Sequence, residues 1–211
     1  PEVTEPILQE HDDVTTLSVV TMERLRRILD RLFDEDEFLS PHGIRSLSAA
    51  YRGGWTVDLP GHGELPIDYQ PAESRDYLFG GNSNWRGPVW FPVNNLLLHS
   101  LATYGRGVAA DVTFEYPTGS GNHLSLEDIT HDLRQRMISL FRVGPDGRRP
   151  SDPVHKPTGP LWQAHPTFSE YFNGDNGAGL GAAHQTGWTA MVADLICLED
   201  GDDPILRDAT S

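Results

Sequence analysis

The sequence predicts an all-α chain in which helices alternate with long irregular loops. Three observations carry that expectation. Four segments place apolar residues three and four apart, the spacing of one helical face. The stretches between them are rich in Gly, Pro, Asn and Asp, which punctuate regular structure. No convincing sheet and no internal repeat runs through the rest.

The first helix is expected over Val14 to Asp34, where Leu17, Val20, Leu25, Ile28, Leu29, Leu32 and Phe33 share a face. Glu23, Arg26, Arg27 and Asp30 form the solvated face opposite, with pairings worth a few tenths of a kcal/mol each, roughly. An ordered loop follows: Pro41 and Gly43 forbid regular continuation, while Phe38, Leu39, Ile44 and Leu47 supply something to bury. The acidic run Asp34, Glu35, Asp36, Glu37 lacks the alternating ligands and central glycine of a calcium loop and reads as a charged helix end. Between Trp55 and Ser74 the pieces TVDL and ELPIDY read as short irregular strands. Gly80 and Gly81 then permit a tight turn, and Pro92 fits the first turn of a second helix, from about Phe91 to Tyr104. Residues 105–122 form a loop with one strand-like piece, VTFEY, and the turn signal PTGSGN. Ser125 caps the third helix with Asp128 three residues on, Leu126, Ile129, Leu133, Met137, Leu140 and Phe141 give it a buried face, and Gly144 ends it. Met137 is core filling. A proline-rich loop over 144–160 leads past Trp162, His165 and Phe168. His165 reads as a histidine satisfied within the structure. The fourth helix opens at His184, Gln185 and Trp188 and runs to about Leu198.

Lys and Arg number 16 and Asp and Glu 31, a formal charge of −15, which repels phosphate backbones and anionic membranes and argues against both as partners. The single cysteine, Cys197, sits in an apolar stretch, reads as a small buried residue and cannot form an internal disulfide. That favours a reducing compartment, the cytoplasm. No apolar run approaches the ~20 residues of a membrane span. The opening at Pro1 and the polar run after it read as a piece of a longer protein, one segment over 1–211 with flexible ends at about 1–13 and 199–211.

Two loops stand out, each just before a helix. Glu170 to Thr189, EYFNGDNGAGLGAAHQTGWT, puts a carboxylate at the entrance of a run with seven Gly or Ala residues between Gly174 and Ala183, so the backbone can approach a ligand or other backbone closely. His184, Gln185 and Trp188 stand at its exit. Carboxylates and amides accept and donate to sugar hydroxyls, and indole faces stack on sugar C–H faces, so a polyhydroxylated ligand suits this set. A structural glycine turn with a solvated Glu is the bland alternative. The glycine spacing at Gly177, Gly179 and Gly181 departs from a dinucleotide fingerprint. The second loop gathers Asn82, Asn84, Trp85, Arg86 and Trp90. Two tryptophans flanking an arginine offer sugar platforms and a guanidinium fork, or else an arginine sandwiched to pin the loop to the core.

The segments DEDEFLSPHGIRSLS, YQPAES, FGGNSNWRGPVWFPVN, FEYPTGSG and EYFNGDNGAGLGAAHQTGWTA together resemble the C-terminal part of microbial relatives of mannosyl-oligosaccharide glucosidase, in glycoside hydrolase family 63. The resemblance runs from about residue 14 to 198. It implies an (α/α)6 barrel, a six-hairpin toroid of which this chain is a part, and hydrolysis of α-glycosidic bonds with inversion by a general acid and a general base. By position in the motif, Glu170 matches the general base. Trp85, Arg86 and Trp90 match the segment lining the subsite of the cleaved sugar, and Trp188 the helix start below the pocket. The resemblance implies an oligosaccharide substrate, and because the family's general acid lies upstream of these segments it also implies a missing N-terminal part of the same polypeptide as partner and no activity for this chain alone. Within the chain, Glu73 is the second choice for the acid. No cofactor or metal is implied. A non-catalytic carbohydrate-binding module is the main alternative, and lyase or phosphorylase chemistry a remoter one.

Overall fold

The computed structural model describes residues 7–11, 14–18, 20–75, 84–109, 111–152 and 159–197. Gly80, Gly81, Asn82, Leu198 and residues 199–211, for which the sequence carries expectations, lie outside the described residues.

The chain is mixed α/β, which overturns the all-α expectation and, with it, the partial (α/α)6 barrel. Among the described residues, helices alternate with five antiparallel strand pairs: β1 (Ile7–His11) with β2 (Val14–Ser18), β3 (Leu39–Ser40) with β4 (Gly43–Ile44), β5 (Trp55–Leu59) with β6 (Gly63–Ile67), β7 (Phe114–Glu115) with β8 (His123–Leu124), and β9 (Tyr171–Phe172) with β10 (Gly179–Leu180). The loops expected to be irregular are thus largely hairpins. The pieces read as strands in TVDL and ELPIDY are β5 and β6, paired from Trp55–Ile67 to Leu59–Gly63.

The first helix, α1 (Met22–Leu32), begins eight residues later than expected. Val14, Thr15 and Thr16 are β-branched and lie instead in β2, in register with β1, and Thr21 caps the helix by accepting the Arg24 N–H at 3.2 Å. Leu25 and Leu29 are its buried residues, and Phe33, which caps its C-terminus, is buried beside them. Helix α2 (Phe91–Gly107) carries Pro92 in its first turn, and α3 (Leu126–Ser139) is capped by Ser125, which accepts the Asp128 N–H at 3.1 Å. Gly144 lies beyond the α3 end rather than at it. The short α4 (Pro160–Ala164) falls where only loop was expected, and His165, at its end, is exposed. The expected fourth helix is two pieces, α5 (Thr186–Thr189) and α6 (Val192–Cys197), at whose end Cys197 is exposed and not buried.

Helix α2 packs on α3 and α5, and α3 on α6. Their inner faces join Phe33, Leu39, Ile44, Val89, Phe172 and the α3 stripe in one apolar core. What positions the site is a ladder above that core. Val89 pairs with Arg45 on one side and with Phe172 on the other, the Val89 and Phe172 amides and carbonyls exchanging bonds of 2.8 and 3.0 Å. Isolated bridges therefore link the segments around residues 45, 89 and 172. Asn94, on α2, secures the edge of this ladder: its side chain accepts the Ile44 N–H at 2.7 Å and donates to the carbonyls of Ile44 and Trp90, both at 3.0 Å. No helix among the described residues is long and apolar enough to cross a membrane.

Candidate functional site

Glu170 stands one residue before β9, at the open end of the β9–β10 hairpin. Its backbone N–H donates to the Ala182 carbonyl at 2.8 Å, and its carboxylate Oε2 accepts the Ala182 N–H at 3.1 Å. Gly181 makes this possible. Its φ of 66° lies in the left-handed region, and a Cβ there would stand 2.7 Å from Glu170 Oε2 and 2.6 Å from the Tyr171 ring.

Tyr171 is the link to the second loop. Its ring, fully buried, stacks on Trp90 with centroids 4.6 Å apart, and Trp90 in turn stacks on Trp85 at 3.9 Å and 3° from parallel. Trp188, on α5, meets Trp90 at 5.5 Å and 56°. The two tryptophans therefore lie against each other rather than around Arg86. Trp90 is 1% exposed, in the middle of the stack between Trp85 and Tyr171, while Trp85 is 44% exposed and presents indole surface to solvent. The Trp90 indole N–H donates to the Asn84 carbonyl at 2.9 Å, which fixes its rotation.

Asn84 and Arg86 face inward. The Asn84 amide donates to the carbonyls of Gln70 and Ala72 at 2.6 and 2.7 Å and accepts the Arg86 N–H at 3.0 Å. The Arg86 guanidinium, 5% exposed, donates to the Gln70 side-chain carbonyl at 3.0 Å and to the Ser74 hydroxyl at 2.9 Å. Both residues hold the 70–74 segment against the tryptophan loop. That segment carries Glu73, which receives the Tyr171 hydroxyl on Oε2 and the Gly181 N–H on Oε1 at 2.9 Å. Burial, and then the bond to Glu73, push the Tyr171 phenol above its ordinary range. The same segment lines an open groove of about 700 Å³ that runs past Arg52, Tyr69, Gln70 and Glu73.

At the far end of the glycine loop His184 is exposed and adopts φ 66°, outside any helix. Gln185 caps α5, its N–H donating to Phe168 at 2.7 Å. Thr189 anchors α5 beneath the carboxylate by donating its hydroxyl to the Ser169 carbonyl at 2.6 Å. The structure thus brings Trp85, Tyr171 and Trp188 around Trp90, with Glu170 next to Tyr171 in the chain, and His184 is not part of that ring cluster among the described residues.

Sequence reasoning missed Tyr171 and the linking role of Glu73. It also missed Asp175, which accepts from Tyr69 at 2.8 Å and from Arg52 at 3.0 and 3.1 Å, tying the glycine loop to the segment before Gln70. The signal for Tyr171 is its place between the acid and a core phenylalanine. Nothing local marks the other two.

No family model matches the chain. An uncharacterized protein of Saccharomyces cerevisiae is 45% identical over 188 residues, 85% of this chain and 17% of its own length. The mannosyl-oligosaccharide glucosidase of the same yeast is 25% identical over 174 residues, and the probable mannosyl-oligosaccharide glucosidase of Schizosaccharomyces pombe 26% over 174, each alignment covering 82% of this chain and 15% of the relative. The chain is a distant homologue of these glucosidases over most of its length, and it spans about one sixth of the relatives it matches.

Proposed function

We propose that this chain forms part of an inverting α-glucosidase acting on oligosaccharides, with Glu170 as the general base. The distant homology to mannosyl-oligosaccharide glucosidases motivates the reaction class. The observation that carries the residue assignment is the position of Glu170 beside an aromatic stack topped by a half-exposed indole. In this reading the open face of Trp85 supports the sugar ring, with Trp90, Tyr171 and Trp188 stiffening it from below. Asn84 and Arg86 act by holding the stack and the 70–74 segment in register. His184 and Gln185 flank the site from the loop that leads into α5.

A base of this kind takes a proton from water as that water attacks the anomeric carbon on the face opposite the leaving group. The leaving oxygen needs a proton from a second carboxyl, which we assign to another part of the same polypeptide. The chain alone is then inactive, and its partners are the oligosaccharide and the remaining polypeptide.

The test is Glu170→Gln in the intact protein, assayed for glucose release from a panel of α-linked glucose disaccharides, with the product anomer followed by NMR. A general base predicts a fall in kcat of about 10²–10⁴-fold with the fold intact. Retention of turnover with weakened sugar affinity would instead favour a carbohydrate-binding role.

A further inference from the structure

Two carboxylates meet the same short stretch of backbone. The Gly181 N–H donates to Glu73 Oε1 at 2.9 Å, and the next N–H, of Ala182, donates to Glu170 Oε2 at 3.1 Å. Consecutive amide nitrogens are about 3–4 Å apart, so one oxygen of each carboxylate lies within about 10 Å of the other. The remaining oxygen of Glu73 accepts the hydroxyl of Tyr171, the residue next to Glu170 and the inner wall of the aromatic stack. Glu73 itself is carried on the segment that Asn84 and Arg86 hold from the tryptophan loop.

We infer that Glu73 is a positioning residue for Glu170, fixing the Gly181–Ala182 amides and the Tyr171 hydroxyl so that the Glu170 carboxylate is held in one orientation at the aromatic stack. The inference rests on the reading of Glu170 as general base. It also gives Glu73 a different role from the general acid for which it is a second choice by sequence. An acid needs an oxygen turned to the leaving group, whereas both Glu73 oxygens are engaged inside the protein, one by a phenol and one by an amide. Gly181 has no side chain to constrain it and a left-handed φ, so an acceptor for its N–H is what keeps that peptide from rotating. Releasing it shifts the donor that Glu170 uses, and a displacement of about 1 Å in a catalytic group costs on the order of 10²-fold in rate.

The experiment compares Glu73→Ala, Glu73→Gln, Tyr171→Phe and Glu170→Gln in the intact protein on the same disaccharide panel. Glu73→Ala is expected to lower kcat by about 10–100-fold with KM changed less than about threefold, as for a misplaced base. Glu73→Gln keeps an oxygen for the Gly181 N–H and an amide that the Tyr171 oxygen accepts, and is expected to recover kcat to within about fivefold of the parent. Tyr171→Phe retains the ring stack and loses the hydroxyl alone. It is expected to lower kcat about three- to tenfold at constant KM, and it serves as the test if Glu73→Ala does not fold. Parent-like kcat in Glu73→Ala, or in Tyr171→Phe, overturns the inference. So does a folded Glu73→Gln as inactive as Glu73→Ala, which would mean that the position needs an ionisable group and moves a proton. Full turnover in Glu170→Gln overturns the base assignment and this inference together, whereas inactive Glu170→Gln beside fully active Glu73 and Tyr171 variants overturns this inference alone.

Discussion

Asn94→Ala tests whether the ladder above the core is held by α2. The Asn94 side chain is 3% exposed and makes three hydrogen bonds to backbone, at Ile44 N–H, Ile44 carbonyl and Trp90 carbonyl. The three do not count equally. The Trp90 carbonyl also accepts the Asn94 N–H at 3.1 Å, the ordinary helical bond, and keeps that partner in the variant. The two bonds to Ile44 have no such substitute in the Asn94 side chain's absence. At about 1 kcal/mol net per bond, with a further 1–2 kcal/mol or so for a buried N–H left without an acceptor, the loss comes to roughly 2–4 kcal/mol. Urea denaturation of the intact protein, followed by tryptophan fluorescence, reads the total. Amide hydrogen exchange in a peptide covering residues 39–46 reads its location, and exchange there is expected to accelerate. A stability change below about 1 kcal/mol with exchange unaltered would refute the reasoning, because water would then be replacing the amide inside a region described as closed to it.

Trp85→Ala should weaken oligosaccharide affinity by roughly tenfold while costing about 1 kcal/mol of stability from the lost stack on Trp90; isothermal titration showing parent-like affinity would remove Trp85 from the site. Gly174→Ala places a Cβ 2.3 Å from the Gly87 carbonyl oxygen and 2.7 Å from the Tyr69 hydroxyl, so the glycine loop must back away from both. The expected destabilisation is about 1–3 kcal/mol, with lower activity, and an unchanged unfolding midpoint counts against the close packing of the two loops. His42 is pushed below its ordinary pKa by burial first and by the Arg136 charge second. The unfolded chain therefore takes up the proton before the folded one does, so this contribution to stability is complete above about pH 6.5 and declines as pH falls below it. His42→Asn should flatten that part of the slope between pH 7 and 5 in urea midpoints, and an unchanged slope would show that His42 does not produce it.

The sequence reading succeeded where the cause of structure is local. Pro92 and Ser125 mark the starts of α2 and α3 within a residue, because a proline without an N–H and a hydroxyl cap act on their own turn of helix. It failed where the cause is distant. Leu17 and Val20 have helical spacing relative to Leu25, but residues 14–18 pair with 7–11, and only the β-branched Val14, Thr15 and Thr16 gave any sign of it. The misjudged fold class has the same origin. Strands of two residues, such as β9 and β10, are too short to show a period, and the Val89–Phe172 pairing joins residues 83 positions apart. At the site, the exposed character of Trp85 and the interior character of Trp90 and Arg86 follow from which ring lies beneath which, and composition does not encode that order.

Because Val89 and Phe172 exchange backbone hydrogen bonds, the segment leading from the indole layer and the segment leading from the carboxylate are tied at one point. Neither can travel without the other. Under the proposed function, a sugar pressing on the indole would also pull on the segment that carries the carboxylate, through the Val89–Phe172 hydrogen bonds. Selectivity for ring size would then rest on the backbone as well as on side chains.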